Sequence, residues 1–477
     1  MYGIDDGSFR AASEGARRRG SRSALIAAAV LAAFGLAGCS ANGSSAASTA
    51  STSAAGSQAP SATARPAAPV ALSWNAQRAP LPPDAQGVSG QYVMLEDVSC
   101  PAAGYCVAVG SDDAQAATGE VVQGLVETLS DGTWTATAVP GVSTPGQDRS
   151  ASLTAISCPD RDSCVVVGFI ASQGGVFKPV IATLSGGHWD PVKAPLPGDW
   201  LTTGAATLDD VTCPSAGTCV ATGWYINRDN DRVGYVDTLA GGTWTATAAP
   251  LPANAAPEQA SSPASTFLAA VSCTGADSCV ATGEYLDAFR RTEALIDTLA
   301  GGTWTATAAS LPANAAASGQ VAGLWAIGCS APGSCVAAGH YIERGGQPRF
   351  LAGTLSNGTW TPTSPALPHD AAGDQKWSKY QATTVGGLGC APDGPCVATA
   401  GYVTRGGATA PLLQTVSGKT WTTSKAPLPA DAIAGTQQNS PVLFLPTCQA
   451  AGHCVAVGSY PAADGTMEGL IETATPA

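Results

Sequence analysis

Residues 268–285 read LAAVSCTGADSCVATGEY: a short apolar run ending in a cysteine, a turn, and a second apolar run beginning with a cysteine. The two cysteines are separated by five residues, and this spacing occurs seven times in the chain. Successive pairs begin 58, 55, 60, 56, 61 and 58 residues apart. Such a regular period indicates one supersecondary unit repeated seven times.

Each unit contains four segments with strand character, which we call A, B, C and D. In the fourth unit, A and B are the two runs quoted above, C is 294–299, and D is 303–307 after a Gly-Gly turn. Segment D alternates polar and apolar residues, which is typical of a strand. Seven units of four strands predict an all-β fold, a seven-bladed β-propeller with four antiparallel strands in each blade.

The two ends of the repeat region decide between a closed ring and a linear solenoid. The last unit ends after segment C, at 469–473, whereas a lone segment D precedes the first unit and contains Trp74. We therefore predict that a strand at about 72–78 closes the last blade. A solenoid would have no use for this strand. The closure also predicts that strand D is outermost and that strand A lines the axis.

Each cysteine pair brackets the A–B turn, where facing Cα atoms lie within the range that a disulfide accepts. Metal binding is the alternative, but each pair lacks a companion histidine and the whole chain has four. Seven disulfides would place the chain in an oxidising compartment. The predicted bonds are Cys100–Cys106, Cys158–Cys164, Cys213–Cys219, Cys273–Cys279, Cys329–Cys335, Cys390–Cys396 and Cys448–Cys454.

The fifteenth cysteine, Cys39, follows an arginine-rich start and an apolar run at 24–36. Leu36-Ala37-Gly38-Cys39 resembles a bacterial lipobox, which implies a lipoprotein signal peptide at 1–38, lipidation (palmitate) of Cys39 and attachment to the cell membrane. The alternative is an ordinary signal peptide with a chance cysteine. Residues 39–70 are rich in Ser, Ala, Thr and Pro, which predicts a disordered tether before a propeller at 71–477.

The formal net charge of −13 argues against nucleic acid as a partner. Charged residues are 12% of the chain, and Gly and Pro number 56 and 34, a composition that suits short strands and tight turns. We expect a monomer without a cofactor, apart from a potential Ca²⁺ site described below.

The units resemble the Cys-paired propeller repeats of exported actinobacterial proteins, with an Ile/Val-Ser-Cys-Pro-x4-Cys-Val-Ala-Val-Gly pattern and a Gly-Thr-Trp strand. Gly132-Thr133-Trp134 is one such strand. Sialidase-like and kelch-like propellers are more distant relatives. The resemblance covers about residues 71 to 477 and implies fold, export and a Gram-positive cell membrane. It implies no defined activity, because the full Asp-box spacing of sialidases is absent.

Repeats separate scaffold positions, which agree between blades, from positions that differ at one slot. The Thr of strand C and the Tyr of strand B recur and are expected to be structural, as are the acids Glu127, Asp237, Asp297 and Glu472. The slot before that Tyr varies and contains Trp224, Glu284 and His340. With B–C loop arginines and an aromatic residue of a D–A loop, these give the ligand-binding candidates Trp224, Arg228, Glu284, Arg290, Arg291, His340, Arg344 and Trp377. Solvated hairpin tips are the alternative interpretation of the arginines.

Strand A carries acids that define a candidate metal site near the axis, Glu96, Asp97, Asp209 and Asp210. Hydrated channel residues are the alternative. Glu284 and His340 are the candidates for a catalytic pair. Three functions follow: a cell-surface module that binds a protein, peptide or glycan on its loop face, a cell-wall- or glycan-acting hydrolase or lyase with its active site at the axis, and an envelope assembly scaffold.

Overall fold

The computed structural model describes residues 71–477 apart from 84, 86–90, 117–118, 140–141, 143–149, 172–175, 257–264, 357, 374–384, 393, 418–419, 437–438 and 450–451. Its elements are 29 β-strands in seven antiparallel sheets. Within this part of the chain there is no helix with the length and hydrophobicity needed to span a membrane.

Six blades each consist of four strands that follow one another in the chain and are hydrogen-bonded in that order. The first strand of each sheet also contacts the first strand of the next blade, so the first strands form the inner wall of a ring. The blades are β2 Val93–Ala102, β3 Tyr105–Ala116, β4 Gly119–Ser130, β5 Thr133–Ala138; β6 Ser150–Asp160, β7 Ser163–Ala171, β8 Phe177–Ser185, β9 His188–Lys193; β10 Ala206–Ser215, β11 Thr218–Ile226, β12 Arg232–Ala240, β13 Thr243–Ala248; β14 Thr266–Gly275, β15 Ser278–Leu286, β16 Thr292–Ala300, β17 Thr303–Ala308; β18 Gly323–Ala331, β19 Ser334–Ile342, β20 Pro348–Ser356, β21 Thr359–Thr363; and β22 Val385–Cys390, β23 Cys396–Val403, β24 Thr409–Ser417, β25 Thr420–Lys425.

The seventh blade combines the two ends of the described chain, as the sequence predicts. The N-terminal strand β1 Leu72–Arg78 pairs with the C-terminal strand β29 Met467–Pro476 in an unbroken register from Leu72↔Pro476 to Arg78↔Leu470. Strand β29 pairs in turn with β28 Cys454–Pro461. Strand β1 is thus the outermost strand of the last blade, and the ring is closed.

The inner strand of the seventh blade is irregular. It is split into β26 Val442–Leu443 and β27 Thr447–Cys448, which both pair with β28. The intervening backbone lies against the glycine-rich β22 of the sixth blade, where a Cβ at Gly389 would lie 1.9 Å from the carbonyl oxygen of Pro446. The glycines of β22 are therefore required by the shape of the blade beside them.

All seven predicted disulfides are present, with Cα–Cα separations between 3.9 and 4.1 Å. Each joins strand A to strand B of one blade, next to the turn between them. Together they define one side of the disc, which we call the disulfide face. Seven disulfides within a single chain indicate an oxidising, extracytoplasmic compartment.

The opposite side of the disc, the loop face, consists of the B–C turns and the D–A loops. A backbone bridge joins the two in each of blades three to seven, as in Trp200↔Asn227 and Ala315↔Glu343. The recurring Tyr of strand B is fully buried beneath them and fixes the loop through its hydroxyl. Tyr225, for example, donates to Asp199 at 2.8 Å and Tyr341 to Asn314 at 3.0 Å.

A β-bulge interrupts the A–B pairing at the same place in the first six blades, four residues before the cysteine of strand A. The bulge pushes a carbonyl oxygen of strand A towards the glycine of the Cys-Val-Ala-x-Gly motif. A Cβ at Gly283, for example, would lie 2.0 Å from the oxygen of Phe267. The motif glycine leaves room for this oxygen in five of the six bulged blades, whereas the sixth blade has Ala400 at the same position.

Gly283→Ala should destabilise the protein by about 2 kcal/mol, since overpacking a tight site costs about 1–3 kcal/mol. Thermal and denaturant unfolding would measure the change. Gly275→Ala in the same blade is the matched control, because its Cβ would meet no heavy atom within 4 Å. Equal stability of the two variants would contradict the steric role of the bulge.

Four carboxyl groups of strand C are fully buried between blades: Glu127, Asp237, Asp297 and Glu472. Each faces an alanine on both neighbouring strands, as Asp237 faces Ala221 and Ala246. None of their oxygens has a hydrogen-bond partner among the described residues. Burial raises the pKa of Asp297 to about 7, that of Asp237 and Glu472 to about 8, and that of Glu127 well above its ordinary value.

These buried groups predict that the free energy of unfolding falls as pH rises from about 4, the ordinary carboxyl pKa, to about 8. Below this window the four carboxyls are protonated in both the folded and the unfolded chain. Within it they ionise freely only in the unfolded chain, and each group lowers the free energy of unfolding by up to about 1.4 kcal/mol per pH unit. Unfolding midpoints at pH 6.5 and 8.5 would be compared with those of a triple variant, Asp237→Asn, Asp297→Asn and Glu472→Gln. The triple variant should lose about half of the pH dependence, because burial also raises the pKa of Glu127, Asp97 and Asp210, which it retains. An unchanged slope would show that the three replaced carboxyls do not contribute to it.

Candidate functional site

The bulged residues of the inner strands line the centre of the ring. In five of the six bulges the bulged residue is the partly exposed member of an otherwise buried stretch. Thr154 is the buried exception, and its hydroxyl donates to the carbonyl oxygen of Leu208 in the next blade at 2.7 Å. The partly exposed residues are Glu96, Asp209, Ala269, Trp325 and Gly386. Their variety shows that this slot is not fixed by the scaffold.

At the loop-face end of blades three to five, side chains that do not recur between blades contact one another. We call this set the central cluster, and it consists of Trp224, Arg232, Phe267, Glu284, Trp325 and His340. Trp224, Glu284 and His340 come from the variable slot of strand B, which the sequence indicated, and Trp325 is a bulged residue of strand A. Sequence reasoning did not select the other two, Arg232 and Phe267, as site residues.

Arg232 begins strand β12 and holds the cluster together. Its guanidinium carbon lies 4.7 Å from the centre of the Phe267 ring and 5.7 Å from that of Trp224. Its Nε donates to the Ser265 hydroxyl at 3.0 Å, and Nη2 lies 3.8 Å from Oε1 of Glu284. The arginine is therefore held between two aromatic rings and a carboxylate, in an orientation fixed by contacts from two blades.

Glu284 and Trp325 converge on Gly323, the first residue of the inner strand of the fifth blade. A Cβ at Gly323 would lie 2.6 Å from Nε1 of Trp325 and 3.0 Å from Oε2 of Glu284. The glycine thus leaves the space that the two side chains occupy. Sequence reasoning missed Trp325, although it lies four residues before Cys329, in the same variable slot as Glu96 and Asp209, because only acids were sought there.

His340 packs against Trp325 from the same blade, with ring centres 5.0 Å apart and an interplanar angle of 82°. The histidine is 4% exposed, and burial lowers its pKa to about 4. At neutral pH the imidazole is therefore uncharged. The predicted partners Glu284 and His340 do belong to one cluster, with the Trp325 ring adjoining both.

The candidate metal ligands of strand A act as hydrogen-bond acceptors between blades. Asp97 accepts from the backbone N–H of Val98 at 2.6 Å and from that of Ile156 in the next blade at 2.7 Å. Asp210 makes the equivalent bonds to Val211 and Val271, each at 2.7 Å. Within the described residues no group of three His, Cys, Asp or Glu side chains is placed to hold a metal ion.

Burial raises the pKa of Asp210 to about 7, while the two backbone N–H donors oppose that rise. Burial also raises the pKa of Asp97, with a smaller contribution from the charge of Asp210. The other two acids of the set, Glu96 and Asp209, are the partly exposed bulged residues; Glu96 accepts from the Ser152 hydroxyl at 3.3 Å.

The arginines of the B–C turns mostly hold their own loops. Arg228 donates to the carbonyl oxygen of Gly198 at 2.7 Å, and Arg344 donates to that of Ala313 at 2.6 Å, in both cases on the adjoining D–A loop. Arg291 is paired with Asp287 at 2.6 Å. These contacts give three of the four predicted arginines a local structural role.

The fourth, Arg290, occupies a left-handed backbone position with φ of 62°. The corresponding turn position is glycine in blades five to seven: Gly346, Gly407 and Gly465. Two further predicted residues, Trp377 as a ligand contact and Cys39 as the lipidation site, lie outside the described residues.

Arg344→Ala should loosen the loop around Ala313 with a small loss of stability, about 0.5–1 kcal/mol for one solvent-accessible hydrogen bond. Hydrogen exchange of the loop amides would detect it. Arg290→Gly is the contrasting variant. It should keep or raise stability by up to about 1 kcal/mol, since a non-glycine residue in this conformation is strained. Equal effects of the two variants would contradict these separate roles.

Solved structures resemble this chain at low sequence identity. A protein of unknown function from Dyadobacter fermentans is 14% identical, with a TM-score of 0.42 over 68% of this chain and 94% of its own. Trypanosoma rangeli sialidase in complex with sialic acid is 10% identical, with a TM-score of 0.38 over 80% of this chain and 54% of its own, about half its length. Penicillium chrysogenum alpha-L-arabinanase complexed with arabinobiose is 9% identical, with a TM-score of 0.39 over 67% and 92%.

No protein-family model matches the chain, and no curated protein matches it in sequence. At these identities and scores the structural likeness assigns no activity.

Proposed function

We propose that this protein is a lipid-anchored extracytoplasmic binding module that holds its ligand at the central cluster on the loop face. The observation that supports this is the contrast between the cluster and its surroundings. Polar residues elsewhere, such as Asp97, Asp210 and Arg344, are engaged in the scaffold, whereas the cluster combines aromatic and charged side chains that do not recur from blade to blade. Convergent polar groups among aromatic side chains are typical of small ligand sites.

The chemistry of the cluster favours a glycan over the other ligand classes, a protein or a peptide. Trp224 and Trp325 are partly exposed and offer ring faces on which a sugar could stack. The Arg232–Glu284 pair offers fixed donors and acceptors for hydroxyl groups. Because the two charges oppose each other and Glu96 and Asp209 line the nearby opening, a neutral glycan suits the site better than an anionic one.

The first described strand begins on the side of the disc opposite the central cluster. Strand β1 begins at Leu72, opposite Pro476, which is the end of strand C at the disulfide face. The chain therefore enters the ring from the disulfide face.

A hydrolase or lyase acting at the axis is the second candidate, favoured by the presence of Glu284 and His340 in one cluster. Glycoside hydrolysis usually needs two carboxyl groups that flank the scissile bond. The central cluster contains one, and it faces the guanidinium of Arg232 at 3.8 Å. Binding therefore fits the cluster better than turnover.

Binding of the purified protein to a defined array of neutral and acidic cell-wall oligosaccharides tests the proposal. Trp325→Ala and Trp224→Ala should each weaken binding by about tenfold, because truncation of a central aromatic contact costs more than about 1 kcal/mol. Arg344→Ala, on the same face, is the control and should bind like the original protein.

Absence of binding to any glycan on the array, or full binding by both tryptophan variants, would contradict the proposal. Product formation that Glu284→Gln abolishes would instead support the hydrolase. Binding of peptides that both tryptophan variants lose would keep the site and replace the ligand class.

A further inference from the structure

The outer strands of blades one, three and four have one identical sequence. Strands β5, β13 and β17 each read Thr-Trp-Thr-Ala-Thr-Ala. Each is the last strand of its sheet, so one backbone edge has no other described strand beside it. These three edges carry neither a charged residue nor a proline.

The other four outer strands contain residues that oppose edge-to-edge pairing. Prolines interrupt the outer strands of blades two and five, at Pro191 and Pro362. The outer strands of blades six and seven end in Lys425 and Arg78. Prolines and charged residues are the usual means by which sheet proteins prevent their edges from pairing with another chain.

The prolines also show which backbone groups face outwards. Pro362 lies opposite Gly353 of strand C, and Ala246 occupies the same position opposite Asp237. Proline has no N–H, so the residue at the position shared by Pro362 and Ala246 donates no backbone hydrogen bond to strand C. By the alternation of strand hydrogen bonds, Trp244, Ala246 and Ala248 direct their N–H and C=O groups to the free edge in blade three.

The side chains beside this edge are compatible with a strand of the same kind. Thr243, Thr245 and Thr247 are exposed on one side of the strand, whereas Trp244 and Ala246 are half-buried against the blade. Two such strands in antiparallel pairing would place threonines opposite threonines, and Trp or Ala opposite Trp or Ala, with no like charges in contact. Threonine pairs across strands are favourable.

We propose that these three edges are self-association sites, at which the outer strand of one copy pairs with the outer strand of a second copy to continue the sheet. The pairing joins two four-stranded blades into one eight-stranded sheet across the contact. Three such edges on one ring permit contact with more than one neighbour. The self-association does not depend on a ligand at the central cluster. It would make the protein an envelope assembly scaffold, the third function that the sequence suggested.

Six-residue edges give weak contacts, so the association depends on concentration. Copies anchored on one surface reach effective concentrations of about a millimolar, at which weak contacts are occupied. In dilute solution we expect the monomer that the sequence suggests.

Sedimentation velocity of the purified exported chain, from dilute solution to about millimolar concentration, tests the proposal. The edge variant carries Thr135→Lys, Thr245→Lys and Thr305→Lys, three exposed threonines at one equivalent position. The matched control carries Asn75→Lys, Thr361→Lys and Thr422→Lys, the same position in blades seven, five and six with the same added charge. Hydrogen exchange of the edge amides is followed in the same samples.

The original protein should associate as its concentration rises, with slower exchange at Trp244 and Ala246. The edge variant should weaken association by about tenfold or more, because like charges meet in the contact, while the control stays within about twofold. A protein that stays monomeric throughout would overturn the proposal. So would equal weakening by both variants, or association that leaves the edge amides unprotected.

Discussion

The pairing of β1 with β29 is the interaction on which the remaining structure depends. Seven inner strands can each have a neighbour on both sides only if the first blade meets the last, and β1 supplies the outer strand that the last blade lacks. Without closure the terminal blades would expose the apolar faces that other blades bury against each other. Closure therefore completes the circular order of the blades and gives the first and last blades a neighbour on both sides.

Within the closed ring, polar residues join neighbouring inner strands. Asp97 and Asp210 reach forward to the next blade, and Ser99 and Ser157 accept from the N–H of the cysteine in the next blade, at 3.0 and 2.9 Å. The serine of the Ser-Cys motif is thus a link between blades, beside a disulfide that acts within one blade. Aspartate and serine, residue types that often act in catalysis or metal binding, are parts of the scaffold at these positions.

The sequence predicted the fold well because its main features are periodic. Cysteine spacing gives the number of blades, and the displaced strand at Trp74 gives the closure. The site was predicted less completely. Trp224, Glu284 and His340 were found because one slot varies between repeats, but Arg228 and Arg344 are bound to backbone carbonyls of an adjoining loop, a contact that spacing along the chain does not reveal. Trp325 lies four residues before Cys329, the slot that holds Glu96 and Asp209 in other blades, but only the acids of this slot were selected, as metal ligands.

Native-state hydrogen exchange of the strand 72–78 tests the closed ring most directly. If β1 completes the last blade, its hydrogen-bonded amides should exchange as slowly as those of β29 and only when the whole propeller unfolds. Rapid exchange of β1 in a protein whose other strands remain protected would contradict closure of the ring by the N-terminal strand.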